Sequence, residues 1–79
     1  MQVFNISLTS INDVKEFVNI VSKYEFDIDL TSGRYVVDAK SIMGIFSLNL
    51  SKPIKVEAHC DNASQFMNEV KRFIVDWFW

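Results

Sequence analysis

Cys60 is the single cysteine in 79 residues. That excludes an internal disulfide and any C-x-x-C metal pattern, and a lone thiol suits a reducing compartment. Glycine and proline are scarce, at two and one, and there is no linker, repeat or low-complexity segment. No run of one charge stands out among ten acidic and eight basic residues, and the net charge is -2. A nucleic-acid binder needs a clustered basic face to neutralise phosphates, so that class is excluded. No apolar run approaches the ~20 residues of a membrane span. Met1-Gln2-Val3-Phe4 has no charged region leading into a long apolar one, so no signal peptide is expected. A soluble cytoplasmic protein is the expectation. Histidine is also nearly missing: His59 is the only one.

What is abundant is apolar surface. Hydrophobic residues make up 49%, including seven Phe, two Trp and two Tyr. A chain this short buries only ~60% of its unfolded surface, so a rich core is what lets it stand as one domain, 1–79. Alternation marks the strands. Phe4, Ile6 and Leu8 interleave with polar residues, as do Phe26, Ile28 and Leu30. Ser32-Gly33 supplies a turn, after which Tyr35, Val37 and Ala39 form the inward face of a third strand. Beyond Pro53, Ile54, Val56 and Ala58 give a fourth.

Helical spacing fills the gaps. Ser10, with Asp13 three residues on, is a loose capping box. It opens a helix whose apolar face is Ile11, Val14, Phe17, Val18 and Val21. Lys40-Ser41 opens a short helix through about Ser47. Asn62 with Gln65 is a second capping-box pattern. It starts a last helix with the stripe Ala63, Phe66, Met67, Val70, Phe73, Ile74 and Trp77. The order βαββαβα predicts an α+β, open-faced two-layer sandwich. Its sheet has four antiparallel strands, with three helices on one face.

The run Lys40-Ser41-Ile42-Met43-Gly44, followed by Ile45-Phe46-Ser47-Leu48, resembles a signature of HPr, the histidine-containing phosphocarrier of the bacterial sugar phosphotransferase system. Ser22-Lys23-Tyr24-Glu25-Phe26-Asp27-Ile28 resembles the family's first-helix end, and the spacing from Ile28 to Ser41 equals the family's. The resemblance implies the same sandwich. It also implies that Ser41 is a regulatory phosphorylation site at a helix start. Ile42, Met43 and Phe46 would form a patch for Enzyme I, a permease, a serine kinase or a transcriptional regulator. The family's catalytic loop, Gly-[Ile/Leu]-His-Ala-Arg-Pro, falls by gap-free counting on Leu8 to Asp13. Ser10 then stands at the His position, Asn12 at the Arg and Asp13 at the Pro.

Chemistry follows from those replacements. A phosphocarrier needs a nucleophile whose phosphoryl adduct is labile, and His serves because its neutral ring nitrogen attacks near neutral pH. A serine phosphoester is far more inert. Asn12 brings no cation, where an Arg fork would hold phosphate oxygens, and Asp13 adds negative charge. No phosphoryl-carrier site is expected, and no enzyme activity, metal or cofactor. His59 is expected in the exposed turn after the fourth strand, roughly 15–20 Å from the loop at ~3.3 Å per residue, and Cys60 as a half-buried structural thiol. The leading reading is a regulatory HPr homologue binding a protein partner through the second helix, with a possible phosphoserine switch at Ser41. The alternatives are a phosphocarrier of the phosphotransferase system, or a self-associating module using Trp77-Phe78-Trp79. A monomer or weak dimer is expected, with Phe78 or Trp79 against Thr9 to Asn12.

Overall fold

The computed structural model describes residues 1–75. Strand β1 (Gln2–Ile6) leads into helix α1 (Ile11–Val21), then the hairpin β2 (Ile28–Ser32) and β3 (Tyr35–Asp38). Helix α2 (Ile42–Phe46), strand β4 (Ile54–Ala58) and helix α3 (Ser64–Glu69) follow, and the described residues end with a single 3-10 turn (Lys71–Phe73) and strand β5 (Ile74–Val75). The strands form one antiparallel sheet in the order β3-β2-β4-β1-β5. The turn between β2 and β3 is made by Gly33, at φ 60, where a side chain would strain the backbone.

Strand parity decides the core. Ile6, Leu30, Val56 and Ile54 point to the face the helices cover, and all are fully buried with Val14, Phe17 and Val21 of α1. Phe66 of α3 sits at the centre of an aromatic group: its ring centroid lies 5.9 Å from Phe4, 5.3 Å from Tyr24 and 6.1 Å from Phe26. Phe73 meets Phe17 edge-on at 6.0 Å. Edge-to-face geometry sets the positive rim of one ring against the negative face of the other. Polar groups lock the same seam. Glu69 on α3 accepts from Lys23 Nζ at 2.5 Å and from the Tyr24 hydroxyl at the end of α1.

Among the described residues the sheet has five strands, where the sequence pattern predicts four. The apolar stripe expected of the last helix runs through Ile74 to Trp77, which lies outside the described residues, yet the helix ends at Glu69. Beyond the 3-10 turn, the β-branched pair Ile74-Val75 lies along the free edge of β1, opposite Ile6 and Asn5. β-branched side chains suit a pleated surface better than a helix, and Ser7 N–H donates to Phe73 O at 2.8 Å.

Three smaller expectations change too. Tyr35 is exposed, because it ends the edge strand beyond the cover of the helices. Ile11 is exposed, because the first residue of α1 projects past the sheet. Asn62 and Gln65 do not form a capping box: the residue preceding α3 is Ala63, and Asn62 Oδ1 instead accepts from Ser64 N–H at 2.9 Å.

Candidate functional site

The loop after β1 turns into α1 through a closed set of hydrogen bonds. Ser10 is extended (φ -140, ψ 163) and its Oγ accepts from Asp13 N–H at 3.1 Å. Asp13 Oδ2 in turn accepts from Thr9 N–H at 3.1 Å and Thr9 Oγ1 at 3.0 Å. The reciprocal arm of the capping box thus lands one residue before the cap. Those two bonds hold the Asp13 carboxyl below its ordinary range, with Ser10 and the more distant Arg72 adding to the effect. Asn12 Nδ2 donates to Glu16 Oε1 at 3.4 Å. A cleft of about 250 Å³ beside the loop is lined by Ser7, Thr9, Asp13, Arg72, Phe73 and Val75.

Arg72 is the residue sequence reasoning missed. Its guanidinium pairs with Glu16 and lies 4.5 Å from the Phe73 ring centroid, a cation–π arrangement. No local pattern places Arg72 here, because the approach depends on β5 pairing with β1.

Ser41 caps α2. Its backbone is extended (φ -101, ψ 105), and its Oγ accepts from Gly44 N–H at 3.1 Å. Gly44 is constrained by closeness: a Cβ there would lie 3.2 Å from Ser41 Oγ and 3.3 Å from the Val37 Cβ. Lys40 Nζ donates to Tyr24 O at 2.7 Å and Lys40 N–H to Asp38 Oδ1 at 2.9 Å, which fixes the approach to the cap. A five-residue helix has too few inward positions for its apolar residues. Ile45 and the following Leu48 are buried, Ile42 is half-buried, and Met43 and Phe46 stay 75% and 40% exposed. Ile11, at the start of α1, adds a further exposed apolar side chain.

His59 lies at the other end of the molecule. Ala58 is opposite Gln2, so His59 flanks the start of β1. Its Nε2 is 2.9 Å from Asp29 Oδ2, and together with Asp27, Asp29 and Asp38 it lines a cleft of about 500 Å³. Cys60 is half-buried beside it. Among the described residues no group of three or more His, Cys, Asp and Glu side chains could hold a metal ion, and no helix is long and apolar enough to cross a membrane. The structure therefore separates Ser10, Asn12 and Asp13 from His59, and sets Ser41 beside Ile42, Met43 and Phe46. Phe78 and Trp79, expected against the loop, lie outside the described residues.

The sequence profile described as "PTS HPr component phosphorylation site" matches residues 12–76. The chain belongs to the HPr family. HPr proteins are phosphocarriers of the phosphotransferase system rather than enzymes. The match begins after Ser10. Similar solved structures include HPr-C-His from Thermoanaerobacter tengcongensis, 26% identical with a TM-score of 0.76, over 91% of this chain and 89% of that one. The histidine-containing phosphocarrier protein of Mycoplasma is 18% identical with a TM-score of 0.72, over 90% and 89%. The phosphocarrier protein HPr of Bacillus anthracis is 19% identical with a TM-score of 0.70, over 94% and 96%. These last two likenesses establish the HPr fold. A search of the curated proteins found no match.

Proposed function

We propose that this HPr-family chain is a non-catalytic, regulatory member that binds a protein partner through α2 and responds to phosphorylation of Ser41. The observation that carries the reading is Ser10. By gap-free counting from Ser41 it stands where the family's loop has its His, and its hydroxyl is engaged as the α1 cap. Asn12 faces Glu16 and Asp13 keeps its negative charge. Neither supplies the cation that a phosphoryl group in flight requires.

Ser41 supports the regulatory half. It is exposed, and it borders Met43 and Phe46. A phosphoryl group there would add close to two negative charges at a helix start that favours them. It would add negative charge beside the apolar patch without disturbing the core. Met43 suits contact with a partner because its unbranched, polarizable side chain adapts to varied surfaces. The partner class is a phosphotransferase-system component, a serine kinase or a transcriptional regulator, in a cytoplasmic setting.

The test is a binding titration of purified Enzyme I and of an HPr-responsive transcriptional regulator against wild type, Ser41→Asp and the double variant Met43→Ser, Phe46→Ser. The reading requires that at least one partner binds, that the double variant loses it and that Ser41→Asp changes its affinity. Binding untouched by all three substitutions would contradict it.

A further inference from the structure

The open face of the sheet is divided by charge. Strand register sets Asp38, Asp29 and Glu57 side by side across β3, β2 and β4. Two residues further along the strands, about 7 Å away, the next row on that face reads Val36, Thr31, Lys55, Asn5 and Val75. Lys55 is its only charge, held on the central strand between Asn5 and Thr31. A cleft of about 380 Å³ opens at this end, with Asn5, Thr31, Ser32, Lys52 and Lys55 as its polar lining. A second cleft of about 380 Å³ shares Ser32, Gly33 and Lys52 and adds Arg34, Tyr35, Ser47 and Asn49.

Among the described residues no carboxylate lines either cleft, and none of Arg34, Lys52 and Lys55 pairs with one. This gathering occurs in a chain whose net charge is -2. Like charges brought together repel, and an anion between them removes that repulsion. Lys55 and Asn5 are donors fixed on adjacent strands, and Lys52 reaches in from the loop before Pro53. The Thr31 hydroxyl donates to Glu57 Oε1 at 3.4 Å, at the long limit for a hydrogen bond.

We propose that this cleft binds the phosphate group of a small phosphorylated molecule. Lys52 and Lys55 hold its oxygens, Asn5 and Thr31 orient it, and the Arg34–Tyr35 cleft receives a second phosphate or the organic remainder. The second cleft reaches Ser47 at the end of α2, but neither cleft includes Ser41, Met43 or Phe46, and the site stands independently of the Ser41 reading.

The test is a titration of the whole chain with pyrophosphate at constant ionic strength, read by amide nitrogen–proton correlation spectra. The expected result is saturating shifts concentrated at Ser32, Gly33 and Lys55. Affinity should fall at least tenfold in the double variant Lys52→Ser, Lys55→Ser and stay unchanged in Lys15→Ser, Lys71→Ser. Lys55→Gln, which keeps most of the stem, should weaken binding with the fold intact. Absence of saturation by about 10 mM, shifts spread evenly over the surface, or equal weakening by both double variants would overturn the site.

Discussion

Two serines perform the same local task at the two helix starts that matter here. Ser10 and Ser41 each turn from extended backbone into a helix and each accept from the N–H three residues on. Ser41→Ala should therefore cost about 0.5–2 kcal/mol, and Ser41→Asp should recover much of it, since Asp also caps and suits the helix dipole. Urea melts of the three proteins read this directly, and equal midpoints would rule out the cap. Gly44→Ala should destabilise despite alanine's better helix propensity. The new methyl would press on Ser41 Oγ at 3.2 Å and the Val37 Cβ at 3.3 Å, so the cap or β3 must shift to admit it. Asp13 adds a pH dependence. Its folded carboxyl titrates below the unfolded one. Its contribution is present above the ordinary carboxylate range and is lost as pH falls through the lowered value. Asp13→Asn should flatten the acid limb of a melting-temperature profile.

At the scale of elements, what was legible in the sequence was whatever depends on near neighbours. The spacing of Val14, Phe17 and Val21 is set by one helix against one sheet, and those side chains are buried as the period requires. The end of the chain was not legible, because Val70, Phe73 and Ile74 fit a helical stripe and a turn-then-strand equally well. Only the free edge of β1 decides between them, and that edge is a long-range fact. Exposure of Ile11 and Tyr35 likewise depends on where neighbouring elements stop. The Ser41, Met43 and Phe46 grouping was legible because it lies within one short helix, whereas Arg72 beside the loop was not.

Two measurements address these elements. Amide exchange should protect Ser7 N–H, bound to Phe73 O; rapid exchange there would deny the fifth strand. Phe66→Ala should cost about 3–5 kcal/mol, because its ring contacts Phe4, Tyr24 and Phe26 together. At the same seam, burial and the bond to Glu69 push the Tyr24 phenol up to about 12. The stability it adds is present below the unfolded value of about 10, and is lost as pH rises from there through the raised value.

On the scale of the whole molecule, an HPr fold carries its surface chemistry at separate places. The Ser10 loop opens at one end of β1 and His59 sits at the other. The exposed face of α2 presents Met43 and Phe46 next to Ser41. Nothing in the fold requires a phosphoryl acceptor at residue 10. The sandwich is held by its core and the loop is closed by its own caps, so the fold can persist without the transfer chemistry. We propose that partner binding, not phosphoryl transfer, is what this member of the family retains. The direct measurement is the intact mass of the protein after incubation with Enzyme I and phosphoenolpyruvate. No acid-labile phosphoryl adduct is expected. A stoichiometric adduct would contradict it, and loss of that adduct in His59→Ala would place the chemistry at the far end of the sheet.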